Sequence, residues 1–215
     1  MQQFLMIAAA HFLALLSPGP DFFLIARTSL SAGPRIASGA CLGIALANGV
    51  FIVAAFAGTT ALRPDTTPFV ILQLAGCAYL LYIGALFIRH AGSQDLDAGA
   101  VSASRGGSAH ATAPPVAWRR AAAMGFLSGI LNPKNALFYA SLAAMLTGPH
   151  SSAGWKTLYG TWMFGAVLLW DLAIAATIGH KTVLHRFARA LPWVERLSGL
   201  ALILLAAGVL VMLAL

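Results

Sequence analysis

Six apolar stretches of membrane-crossing length occupy most of this chain, at 4–27, 36–62, 68–89, 120–146, 156–178 and 197–215. A helix of about 20 residues spans the ~30 Å hydrocarbon core of a bilayer. Runs of that length read as helices, because a lipid-exposed segment must satisfy its backbone hydrogen bonds internally. Composition agrees: 60% of the 215 residues are hydrophobic and 9% charged, against ~25% charged in soluble domains. So few charges could not cover a soluble protein of this size. A soluble globular enzyme, a disordered chain and a disulfide-stapled secreted module are excluded. The expectation is an all-α integral membrane protein with a single transmembrane domain over 1–215.

The net charge of +7 does not indicate nucleic acid, because most Lys and Arg flank the apolar runs. Basic residues there set orientation. Arg27 and Arg35, then Arg89, Arg105, Arg119 and Arg120, then Lys181, Arg186, Arg189 and Arg196 fall in alternate connections. Arg63 and Lys156 fall in the others. The first set is expected to face the cytoplasm, with both termini outside. The N-terminal run resembles a signal peptide but lacks its basic leader, so it is read as a retained first span. Residues 93–115 are rich in Ser, Ala and Gly. With their flanks, at 91–117, they are expected to form a flexible cytoplasmic linker. Residues 180–196 are basic and partly amphipathic, and are expected to lie along the membrane interface.

A shift of 115 residues places Pro18 on Pro133, Gly33 on Gly148, Pro34 on Pro149 and Gly39 on Gly154. Each half holds three spans, and the first of each is broken by proline. An odd number of spans makes the second half enter the membrane from the opposite side. The expected architecture is therefore six transmembrane helices in two inverted three-helix repeats, 4–90 and 118–215. The first and fourth helices are Pro-broken, a pattern of secondary transporters.

The breaks carry the chemistry. In Ser17-Pro18-Gly19-Pro20-Asp21, the prolines remove backbone donors and Gly19 eases unwinding. The exposed carbonyls must face protein or a water-filled cavity. Asp21 follows directly, and a carboxylate at that depth costs at least ~2.5–3.5 kcal/mol. A helix N-cap is the bland reading of Asp21, and a substrate or proton site the sharper one. Asn132-Pro133-Lys134-Asn135 takes the equivalent place in the fourth span. Lys134 lies too deep to snorkel easily. Asp21 is its expected partner, with Asp171 second. A purely structural pair is one reading. In the other, the ammonium and carboxylate of a zwitterion compete for those partners. Asn48 can line the cavity or bond across helices. Asp171 is a further deep acid, and His11 is read as a helix–helix contact before a proton relay.

Gly39-x-x-x-Gly43 and Gly125-x-x-x-Gly129 form small-residue faces that suit close helix packing, and such faces also permit a homodimer. The two cysteines, Cys41 and Cys77, lie in apolar runs and read as small hydrophobes. No metal-ligand spacing, phosphate loop or triad is present, so neither a metal nor any other cofactor is expected.

With these motifs the chain resembles the lysine-exporter (LysE/RhtB) family of bacterial amino-acid effluxers. The resemblance rests on Ser17 to Asp21 with Arg27-Thr-Ser-Leu-Ser-Ala-Gly33, on Gly39-Ala-Cys-Leu-Gly43-Ile-Ala-Leu-Ala-Asn48, and on residues 74–84. It continues through Gly125-Phe-Leu-Ser-Gly-Ile-Leu-Asn132-Pro-Lys134 and Arg196-Leu-Ser-Gly199. Asn135 departs from it, standing where many relatives carry a small apolar residue. The resemblance implies export of amino acids or close derivatives across the bacterial cytoplasmic (inner) membrane, driven by protons, with the Asp21 and Lys134 segments as the substrate-linked core. The overall expectation is a secondary transporter working by proton antiport and alternating access, not an enzyme. Asp21, Lys134, Asn132, Asn135, Asn48 and Asp171 would bind substrate or couple protons. Ser17, Pro18, Gly19, Pro20 and Pro133 would line the site. A carrier of another small solute or cation is the alternative, followed by a membrane thiol redox carrier using Cys41 and Cys77.

Overall fold

A computed structural model describes residues 2–16, 19–61, 66–92, 117–145, 152–178 and 181–214. Among them are eight helices: α1 (Gln2–Leu16), α2 (Pro20–Ala32), α3 (Pro34–Ala61), α4 (Thr67–Arg89), α5 (Trp118–Ile130), α6 (Pro133–Ala144), α7 (Ala153–Thr177) and α8 (Lys181–Ala214). Ser17, Pro18 and nearly all of the 91–117 segment lie outside the described residues.

Proline and glycine set the boundaries. Pro20 takes the first position of α2 behind an extended Gly19, where its missing N–H costs nothing. The α2 helix stops at Gly33, whose φ of +86° suits a residue without Cβ. Pro34 then opens α3 at once. At the second break, Pro133 opens α6 and the Asn132 side chain caps it, accepting from the backbone N–H of Lys134 at 3.1 Å.

Four helices contain segments long and apolar enough to cross a membrane: Pro34–Thr59, Thr67–Arg89, Ala153–Thr177 and Arg189–Val211. The α1–α2 pair makes a fifth if its two pieces, bent by 53°, are one broken span. The expected fourth span is divided into α5, of 13 residues, and α6, of 12. Neither piece could cross alone. The basic 180–196 segment differs from expectation. Its described residues continue into the last apolar run as the single helix α8, with Pro192 inside it. The helix begins at Lys181, eight residues before the membrane-crossing part that starts at Arg189.

The 115-residue shift extends to whole elements. It carries α1 onto 117–131, α2 onto 135–147, α3 onto 149–176 and α4 onto 182–204, the positions of α5, α6, α7 and α8. Gly84 and Gly199, related by that shift, meet where α4 crosses α8. A Cβ on Gly84 would lie 2.7 Å from the Gly199 carbonyl, and one on Gly199 would lie 2.5 Å from the Gly84 carbonyl.

The α3 and α5 helices are closer still. A Cβ on Gly39 would come within 2.5 Å of the Trp118 carbonyl. One on Gly43 would overlap the Ala122 carbonyl, and one on Gly125 the Ala40 carbonyl. The two small-residue faces thus grip each other inside one chain, and these faces are not open to a second copy. Two apolar clusters complete the interior. One joins Ile7, Cys77, Leu80, Tyr139, Leu142, Tyr159 and Leu202. The other joins Ile25, Cys41, Ile44, Val167 and Ile174. The cysteines therefore sit in different clusters, both buried as free thiols, and form no redox pair. Side-chain bonds to backbone carbonyls tie the helices across the clusters: Ser29 Oγ to Ala175 (2.6 Å), Gln73 Nε2 to Ala144 (3.1 Å) and Ser198 Oγ to Leu13 (2.5 Å).

Candidate functional site: a polar cavity between the two breaks

The two helix breaks converge on one cavity of about 70 Å³. Gly19, Asp21, Asn48, Asn132, Lys134, Asn135 and Asp171 line it, so all six expected polar residues are brought together. Phe22, Phe138, Tyr139 and Trp170 form aromatic walls, and Ile44 and Val167 aliphatic ones. A space of this kind holds water when polar groups serve it, and each water needs only ~10–15 Å³ by this measure.

Pro20 and Pro133 do not line this cavity. They border a separate groove with Leu24, Met124, Leu127 and Leu131. Their rings stand on the outer side of the breaks, and it is the polar residues beside them that turn inward.

The Asp21 carboxylate comes from α2 in the first half, and its partners all come from the second. Ser128 Oγ donates to Oδ1 at 2.6 Å. Asn135 Nδ2 and Asn132 Nδ2 donate to Oδ2 at 3.1 and 3.4 Å. Asn135 Nδ2 also reaches the Gly129 carbonyl at 3.4 Å, where α5 is ending. The expected Asp21–Lys134 pair is therefore replaced by a carboxylate held by three neutral donors. The reason is reach. Ser128 and the two amides flank the second break and meet Asp21 directly, while the long Lys134 side chain extends toward α4.

Lys134 Nζ lies 4.9 Å from the centre of the Phe87 ring, a cation–π contact. It sits beside Gly19, where a Cβ would stand 3.9 Å from Nζ. Among the described residues no oxygen accepts a hydrogen bond from this ammonium. The Lys134 carbonyl accepts from Tyr79 Oη at 3.3 Å, which fixes the start of α6 against α4.

Asp171, on α7, is 8% exposed, and its Oδ2 is buried with no hydrogen-bond partner among the described residues. Asn48 donates to the Ile44 carbonyl of its own helix at 2.9 Å while facing the cavity. His11 is fully buried with Nε2 3.2 Å from Tyr139 Oη, the helix–helix contact expected of it.

Two residues escaped the sequence reading. Ser128 lies inside Gly125-x-x-x-Gly129, where a small residue reads as packing. Glu195 stands amid basic residues, yet is 5% exposed and accepts from the Gly92 backbone N–H at 2.9 Å. No group of three or more metal-ligating side chains occurs among the described residues.

A family model described as LysE type translocator matches residues 12–213. The threonine efflux protein of Escherichia coli (strain K12) is 26% identical over 202 residues, covering 91% of each chain. The threonine efflux protein of Salmonella typhimurium (strain LT2) is 24% identical over 203 residues, covering 93% of each. The leucine efflux protein of Salmonella choleraesuis (strain SC-B67) is 28% identical over 162 residues, 72% of this chain and 69% of that protein. No solved structure gives a significant match.

Proposed function

The chain belongs to the LysE type translocator family, and from that premise we propose that it exports amino acids from the cytoplasm across the bacterial inner membrane by proton antiport. The observation that carries this reading is the Asp21 cluster. An acid from one helix break is held by Ser128, Asn132 and Asn135 beside the other break. Lys134 faces the same cavity. Transport needs a site shared by two bodies that can rock against each other, and this cluster joins the halves at such a place.

In this mechanism Asp21 takes and releases the coupling proton. The three donors suit the ionised carboxylate. Protonation turns an acceptor oxygen into a donor, and the Ser128 hydroxyl can rotate to accept from it. Oδ2 goes on accepting from the amides of Asn132 and Asn135, but as the oxygen of a neutral carboxyl it holds them more weakly than the carboxylate does. Proton uptake therefore loosens the tie between the breaks and favours rearrangement. Lys134 binds the substrate carboxylate, exchanging the Phe87 ring for a charged partner. The 115-residue correspondence of the helices supports two inverted halves, and alternating access would exchange their conformations. A potential of 100 mV supplies ~2.3 kcal/mol per charge. One proton entering per substrate leaving is then enough for a tenfold gradient, which costs ~1.4 kcal/mol.

The test is uptake of labelled amino acids into inside-out vesicles under an imposed pH gradient. Accumulation that a protonophore and Asp21→Asn both abolish is expected. Full uphill accumulation by Asp21→Asn would show that the proton is carried elsewhere.

A further inference from the structure

The cavity holds three ionisable side chains in unequal surroundings. Both oxygens of Asp21 are engaged by Ser128, Asn132 and Asn135. Asp171 keeps a buried Oδ2 with no partner among the described residues, although Asp171 lines the same space. Lys134 feels the nearby charges of Asp21 and Glu195, but its ammonium stands over the face of Phe87 and, among the described residues, no oxygen accepts a hydrogen bond from it. A buried carboxylate oxygen without a donor is unfavourable unless something arrives to fill it.

Resting on the reading of this chain as an amino-acid exporter, we infer that Asp171 is the anchor for the substrate's α-ammonium group and that the site selects amino acids with short, uncharged side chains. The vacant acceptor and the vacant donor, on α7 and α6, face one cavity from different helices. A zwitterion fills both at once, its ammonium donating to Asp171 Oδ2 and its carboxylate accepting from Lys134 Nζ. Asp21 is left for the proton. Substrate charge and coupling charge thus use different acids.

Side-chain selection follows from what remains. A basic side chain would require another vacant acid, and the nearby Asp21 is already satisfied. An acidic side chain would require another vacant cation, and among the described residues Lys134 is the one lysine or arginine lining the cavity. Size acts in the same direction. The cavity's 70 Å³ is about half the ~150 Å³ of a cavity that holds benzene. Phe22, Phe138, Tyr139 and Trp170 close it on several sides.

Alanine and lactate differ chiefly in the ammonium, so the pair isolates the Asp171 contact. Binding to purified full-length protein would be read by tryptophan fluorescence, since Trp170 lines the cavity. Exchange in proteoliposomes would be read in parallel. Wild type should favour alanine over lactate by roughly 10- to 100-fold, as expected for one charged hydrogen bond. Asp171→Asn should bring that ratio close to one, while Asp171→Glu, which restores the charge, should keep a preference. Serine should compete with alanine, and lysine and glutamate should not. An alanine preference that survives in Asp171→Asn overturns the anchor while leaving amino-acid export standing. Competition by lysine or glutamate as strong as by serine overturns the selection. Folded wild type that neither binds nor exchanges any of these amino acids overturns the export reading, and this inference with it.

Discussion

The long helices α3 and α7 occupy equivalent places under the 115-residue shift, yet their neighbours treat them differently. On α3, α5 lies backbone against backbone through Gly39, Gly43 and Gly125. On α7, the equivalent neighbour α1 stands off across an apolar groove of about 580 Å³, lined by Phe4, Phe12, Leu158, Trp162, Gly165 and Leu169. The residues explain the contrast. Gly43 corresponds to Leu158, and Gly125 and Gly129 correspond to Ala10 and Ala14. Aromatic side chains mediate the second contact, Phe4 against Tyr159 and Trp162 and Phe12 against Trp170, whereas the absence of side chains lets the first pair close. Of two contacts at positions 115 residues apart, one is a fixed clamp and the other has space to change.

The largest effect should come from breaking the clamp. Gly43→Val forces a branched side chain into the Ala122 carbonyl with only backbone to yield, so we expect little folded protein by size-exclusion profile and thermal melt. Filling the groove should separate folding from function. A Cβ on Gly165 would meet nothing within 4 Å among the described residues, so Gly165→Leu should keep the wild-type melt. If α1 closes on α7 during transport, that variant should lose most of its export in vesicles; unchanged export would remove the groove from the cycle. Ser128→Ala leaves Asp21 its two amide donors and removes the 2.6 Å bond. A cost of about 1.5–3 kcal/mol for a hydrogen bond to a charged group predicts export reduced roughly ten- to a hundredfold. The smallest effect should be the most diagnostic. Gly39 and Gly154 are related by the shift, but a Cβ meets the Trp118 carbonyl at the first and nothing at the second. Gly39→Ala should lower the melting temperature clearly, whereas Gly154→Ala should leave it level or raise it by about a degree or two.

Much of this is legible in the sequence. Proline at fixed places inside apolar runs announces a break, and lipid forces the polar residues beside a break to face inward. That reasoning puts Asp21, Asn132, Lys134 and Asn135 together, and Asn48 and Asp171 with them. Partner choice is not legible. Opposite charges suggest Asp21 with Lys134, but whether two side chains meet depends on rotamers and helix rotation. Ser128 takes the contact without any pattern marking it. Pro20 and Pro133, expected to line the site, turn outward for the same reason: spacing identifies a break but not which side of it faces the cavity. At the other end, a proline and a run of basic residues suggest a connection before the last span, yet α8 runs through Pro192. Glu195 is hidden there because a lone acid among bases reads as solvated.

The clasp of Glu195 on the Gly92 N–H also bears on how the chain could be made. It fastens the end of α4 to α8 just before the 93–116 segment begins. Together with the Gly84–Gly199 crossing and the α3–α5 clamp, it holds the halves by contacts that owe nothing to their covalent connection. Cutting that connection would raise the entropy of the parts without removing any of these contacts. Residues 1–92 and 117–215, encoded as separate polypeptides and inserted into the same membrane, would still carry complementary surfaces. The single chain then acts as a tether that sets stoichiometry, and the recognition between halves resides in the helices themselves.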